Sequence, residues 1–105
     1  MIVDIAKLAG WRVHAELPGQ TASGRYLTHV QGHVGFPDLV LVHPTRQLIA
    51  FIELKRKPNK ATEDQLAWLS AVSTAAPSVV TAVVFVPEGL PRLEAFLTDG
   101  SVTSL

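Results

Sequence analysis

Asp38, Glu53 and Lys55 are the residues whose types and spacing best suit chemistry. They lie in the stretch from Gly35 to Lys55, GFPDLVLVHPTRQLIAFIELK. Leu39 to Val42 and Leu48 to Leu54 are short apolar runs rich in Val, Ile, Leu and Phe, the pattern of buried strands. Pro44-Thr45-Arg46-Gln47 between them has turn chemistry, and Pro44 cannot donate to a ladder. A loop of those four residues sets Asp38 opposite Glu53 and Phe36 opposite Lys55. Side chains alternate faces along a strand, so Asp38, Glu53 and Lys55 emerge on one face at one end of a sheet. Two carboxylates and an ammonium gathered there cost stability and suit a site for a hard divalent cation. The competing reading is a surface hairpin whose charges sit in solvent. The flanking apolar runs argue against it, because they call for a covered face.

The same residues carry a resemblance. Pro37-Asp38 followed by Glu53-Leu54-Lys55 resembles the signature of the PD-(D/E)xK nuclease superfamily. The wider pattern is similar to the VRR-NUC nucleases, many of them small phage or bacterial proteins. It comprises Gly10-Trp11 after a first helix, Gly35-Phe36-Pro37-Asp38-Leu39, Phe51-Ile52-Glu53-Leu54-Lys55, and Thr62-x-x-Gln65-x-x-Trp68-Leu69. It runs from about Val3 to Val86, most of the chain. The short PD…ExK match alone is weak; the ordered set on the right elements is more specific.

The resemblance implies a Mg²⁺-dependent nuclease, with Mn²⁺ as a substitute, that hydrolyses DNA phosphodiesters, including structured DNA such as junctions or flaps. Such hydrolysis requires neutralising phosphoryl charge, activating water and stabilising the leaving oxygen, work suited to a cation held by oxygens. Asp38 and Glu53 would each supply a carboxylate oxygen, and by resemblance the Leu54 carbonyl a third. Lys55 would orient or activate the attacking water and offset developing negative charge. Gln65 has two compatible readings: by resemblance it orients water or substrate, and by local pattern it caps its own helix through Thr62. Arg56, Lys57 and Lys60, with Lys55, form a basic cluster at the mouth of the proposed site, where phosphate contacts are wanted. A solvated loop is the plainer reading of that cluster. Arg12 and Arg25 are further phosphate candidates. VRR-NUC proteins usually carry a glutamate near the start of the first helix. That position would precede Met1, and Asp4 comes about two turns too late to take the role. The expectation is therefore either an N-terminal helix that is truncated here or a site with fewer acids. Two rivals follow: a DNA-binding module of the same fold with impaired or no cleavage, and an unrelated α/β protein that matches by chance.

Composition bounds these readings. The 105 residues make one domain with a modest core, and 48% hydrophobic against 17% charged residues calls for well-buried elements. Val79 to Val86, the longest apolar stretch, is far too short to span a bilayer, so no membrane partner is expected. No basic leader or cleavage pattern opens the sequence, and the default expectation is the cytoplasm of a bacterium or phage-infected host. The absence of cysteine excludes disulfides, thiol catalysis and cysteine zinc sites. With a net charge of zero, nucleic-acid binding would rest on a local basic patch. So apolar a small chain is also expected to hide surface in a homodimer, as do the junction resolvases of this fold.

The elements that position these residues read as follows. Ile2, Ile5, Ala6, Leu8 and Ala9 recur at helical spacing before Gly10. Trp11, Val13, Ala15 and Leu17 alternate with Arg12, His14 and Glu16, a strand. Pro18 to Val34 is polar and Gly-rich, a loop expected near substrate. After the hairpin, Thr62-x-x-Gln65 is a capping box opening a helix to about Ala75, with Leu66, Leu69 and Val72 on its buried face. Val79 to Val86 reads as a central strand, and Leu90, Leu93, Phe96 and Leu97 as a last helix. The expected architecture is α/β: a restriction-endonuclease-like core, αβββαβα, with a mixed four-stranded sheet flanked by helices. His29 and His33 have the spacing of a helical metal pair, but Gly32 and Gly35 argue against a helix there. His14 on its polar face could approach the site or face water, His43 reads as a turn residue, and Trp68 as core or partner surface, with base stacking the minority reading.

Overall fold

The computed structural model describes residues 1–17 and 31–105. Its elements are α1 (Ile2–Leu8), β1 (Arg12–Ala15), β2 (Leu39–His43), β3 (Leu48–Lys55), α2 (Glu63–Ala75), β4 (Val80–Phe85) and α3 (Leu90–Thr98). The strands form one sheet in the order β1-β2-β3-β4. β1 and β3 each pair antiparallel with β2, and β4 runs parallel to β3 after the crossover through α2. This is the αβββαβα arrangement with a mixed sheet that the sequence calls for. The hairpin register is also as expected: Leu39 faces Ile52 and His43 faces Leu48, leaving Pro44 to Gln47 as the connection.

One face of the sheet carries the main core. Leu39, Leu41, Ala50, Ile52 and Val84 meet Ala6 of α1 and Leu93, Phe96 and Leu97 of α3. Trp11 is the joint between them. Its Nε1–H donates to the Leu97 carbonyl at 2.9 Å, and its ring lies 5.4 Å from Phe96. The hairpin turn is tied to the same joint. The Arg46 guanidinium donates to the Phe96 and Val102 carbonyls, both at 2.8 Å, and stands 5.1 Å from the centre of the Trp11 ring. His43 is not the turn residue its position beside Pro44 suggests; it ends β2, buried edge-on to Trp11. Its Nδ1 accepts from the Arg46 N–H, which leaves Nε2 to donate to the Ala9 carbonyl. A histidine next to a proline turn is thus a structural clasp.

Part of the other face is covered by α2, while Ile49 on that face stays 40% exposed. Phe51 points away from Ala50 and Ile52, and Phe36 bridges it to Trp68 of α2, with ring centres 6.0 and 5.0 Å apart. Both halves of the capping box form: Thr62 Oγ1 accepts from the Gln65 N–H, and Gln65 Oε1 from the Thr62 N–H. Gly35, at φ +93°, has a physical reason to be glycine. A Cβ there would lie 2.7 Å from the Asp64 carbonyl carbon, so the backbone before Pro37 can press against the first turn of α2 only without a side chain.

Two further expectations are corrected. β4 is an edge strand, not a central one. Its unbroken apolar run reflects contacts on both faces, and hydropathy reports faces, not whether a hydrogen-bonding edge is free. Leu66 is 49% exposed and does not share the buried face of α2, which rests on Leu69 with Val72 half-buried.

Candidate active site

Asp38 precedes the first residue of β2 and Glu53 sits third from the end of β3. One further step of the observed register places them opposite each other, on the face away from the main core. The Asp38 Oδ2 accepts from the Leu54 N–H at 2.9 Å, which locks this carboxylate across the hairpin. Glu53 is 1% exposed. Its Oε2 lies 3.7 Å from the Lys55 Nζ, and its buried Oε1 has no hydrogen-bond partner. Burial, and then the Asp38 charge beside it, push the Glu53 carboxyl up to about 7 from 4.5, and Lys55 only partly offsets this. A buried carboxylate costs free energy unless something pairs with it. The lysine, two residues on along the same face, supplies part of that pairing and leaves one oxygen orphaned.

This donor set fits a hard divalent cation. Asp38 and Glu53 offer oxygens from neighbouring strands, and the orphaned Glu53 oxygen has unmet need of a positive partner. Among the described residues no three carboxylate or imidazole groups converge on one point. A cation held by this pair would need further oxygens, and the Leu54 carbonyl is the one the family resemblance implies.

The other expected site residues are placed less uniformly. Gln65 is committed to the cap through its Oε1. Arg56 and Lys60 are exposed in the connector after β3. Lys57 turns towards the β4 side, 3.9 Å from Glu88 and over the Phe85 ring. Arg12 is exposed on β1, on the face of Asp38. Arg25 and His29, with most of the expected substrate loop, lie outside the described residues. His33 is exposed and its carbonyl accepts from the Trp68 Nε1–H, so Trp68 serves the packing of α2 against the segment before Pro37. His14 lies 3.8 Å from Glu16, both exposed.

Two open clefts among the described residues are lined by neither Asp38 nor Glu53. One of about 440 Å³ runs along β4 past Lys57, Glu88 and Arg92. The other, of about 320 Å³, lies between His33-Val34 and Asp64-Trp68. The acids stand towards one end of the sheet, with Glu53 buried.

The chain is thus a mixed sheet flanked by helices, with an Asp and a Glu-x-Lys on adjoining strands. Residues 14–85 match the VRR-NUC domain, and the chain belongs to that family. A solved structure described as a VRR_NUC domain is similar in fold, with a TM-score of 0.57 and 18% identity over 93% of this chain and 91% of the other. No curated protein matches the sequence significantly. Among the described residues, no helix is long and apolar enough to cross a membrane.

Proposed function

We propose that this domain is a Mg²⁺-dependent DNA nuclease, with Mn²⁺ as a substitute, in which Asp38 and Glu53 hold the cation with the Leu54 carbonyl. The observation that carries this reading is the buried Glu53 carboxylate, with one oxygen unpartnered, beside Asp38 and 3.7 Å from Lys55. When bound, the cation supplies the positive charge that polarises the phosphodiester and lowers the pKa of a water. Glu53 and Asp38 orient that charge from fixed positions on paired strands. Lys55 holds the attacking water and faces the negative charge that develops on the phosphoryl oxygens. Gln65, at the start of α2, positions water or substrate through the part of its amide not used in the cap. Arg12, Arg25, Arg56, Lys57 and Lys60 bind phosphates away from the scissile bond, and acidic pairing of Lys57 with Glu88 makes it the weakest of these.

The finer reading is an endonuclease for branched DNA, acting as a homodimer in the cytoplasm of a bacterium or phage-infected host. The edge of β4, unpaired among the described residues, supports an assembly, because an open edge on a strand rich in Val and Phe invites a second chain. A two-fold pair would carry two Asp38–Glu53 sites to two strands. Binding without cleavage is the rival, and it draws on Gln65 being engaged in its cap. A panel of single-stranded, duplex, flap and four-way-junction DNA, read beside light scattering of the protein, tests both points. The expected result is preferred cutting of a branched substrate by a dimer. Cutting without regard to structure by an 11.3 kDa monomer would remove the paired-site reading, and binding with no cutting of any substrate would favour the rival.

A further inference from the structure

A third acid stands in line with the proposed cation pair. The Glu16 N–H donates to the Asp38 carbonyl at 2.9 Å. This extends the β1–β2 register by one step beyond Ala15 and Leu39. The same step in the β2–β3 register sets Asp38 against Glu53. Three neighbouring chain segments therefore carry carboxylates at one level: Glu16, Asp38, Glu53. They also share a face. Val13, Ala15, Leu39 and Ile52 pack on the main core, so the residues next to them in sequence point the opposite way. Side chains directly opposed across strands start about 5 Å apart, within the span of a glutamate reaching towards its neighbour's carboxylate.

Acids in a row would not by themselves make a site. The orphaned, buried Oε1 of Glu53 shows that this row already contains an oxygen lacking a cationic partner. Glu16 is held by little in its present orientation. Its carboxylate lies 3.8 Å from the His14 Nε2, with both side chains largely in solvent, a contact of a kind worth little. Turned towards His14, Glu16 leaves Asp38 and Glu53 without a third acid, in keeping with the lack of three convergent groups among the described residues.

We propose that Glu16 is a further cation-binding residue of this site, rotating from His14 towards Asp38 to share with it the divalent ion. The inference rests on the nuclease reading above and deepens it. It gives the edge strand β1 a direct role in the centre, and it makes His14 the resting partner of a ligand.

Calorimetric titration of the full chain with Mn²⁺ at pH 8, without DNA, tests it. Wild type would be compared with Glu16→Gln, with Glu53→Gln, and with Glu63→Gln, which removes another exposed charge, from the first turn of α2. The expected result is that Glu16→Gln weakens Mn²⁺ binding about tenfold, as loss of a supporting ligand does, while Glu63→Gln changes it less than about twofold. Equal affinities in Glu16→Gln and Glu63→Gln would overturn the proposal. If binding is lost in Glu53→Gln but unchanged in Glu16→Gln, the nuclease reading stands and Glu16 alone is excluded. If the wild-type chain binds no Mn²⁺, both fall together.

Discussion

Replacing Glu53 by Gln is expected to make the metal-free protein more stable at pH 8 while cutting DNA cleavage on the order of a thousandfold. The two effects have one origin. Glu53 is buried beside Asp38, and its carboxyl stands at about 7 instead of 4.5. An acid whose pKa is raised by folding binds its proton more tightly in the native state than in the unfolded one. Its contribution to stability is fully present below pH 4.5 and is lost as pH rises through about 7. The difference is on the order of 3 kcal/mol between pH 4.5 and pH 8. Gln has no charge to desolvate, so the variant lacks this decline. Urea denaturation in chelator at pH 5 and pH 8 measures it: the wild type loses stability between the two, and Glu53→Gln loses much less. Parallel curves for the two proteins would mean that the buried carboxylate is not under strain. The same strain explains why a cation should bind here, since a divalent ion relieves at pH 8 the cost that a proton relieves at pH 5.

The second large effect belongs to the opposite face. Trp11→Ala is expected to cost about 3–5 kcal/mol of stability. Trp11 is 3% exposed and makes four contacts: it packs on Phe96 and His43, donates to the Leu97 carbonyl, and lies under the Arg46 guanidinium. Its loss opens a cavity and leaves the Leu97 carbonyl without that donor. Because the cluster lies across the sheet from Asp38 and Glu53, molecules of the variant that remain folded should still bind Mn²⁺ with wild-type affinity. Chemical denaturation and calorimetric titration at low temperature separate the two readouts. A cost under about 1 kcal/mol would show that the joint is held by other contacts.

Much of this arrangement is legible in the residues. Alternation and turn chemistry fix the hairpin, and a four-residue turn leaves a single register, so the opposition of Asp38 and Glu53 follows from counting. The capping box at Thr62 and Gln65 follows from local pattern in the same way. What escapes is whatever depends on the order of strands or on contacts distant in sequence. β4 looks central because Val and Phe pack on both of its faces, although its outer edge is unpaired among the described residues. His43 looks like a turn residue because nothing nearby in the sequence indicates that Trp11 and the Ala9 carbonyl await it. Glu16 is missed for a related reason. Its polar face is visible in the alternation of Arg12, His14 and Glu16, but the long connection between β1 and β2 leaves their register open. Only the pairing of Ala15 with Leu39 shows which acid meets Asp38. Lys57 lies in an obvious basic run, yet Glu88, far along the chain, draws it to the β4 side.

The central claim is that Asp38, Glu53 and Lys55 form a cation-dependent centre that hydrolyses DNA. Its most direct test is a cleavage time course on plasmid and four-way-junction DNA with Mg²⁺, with Mn²⁺ and with EDTA, run for the wild type and for Lys55→Ala. Cutting by the wild type in either metal, none in EDTA, and a loss on the order of a hundredfold in Lys55→Ala with Mn²⁺ binding retained is the predicted result. Cleavage that persists in EDTA, or full activity in Lys55→Ala, would contradict it.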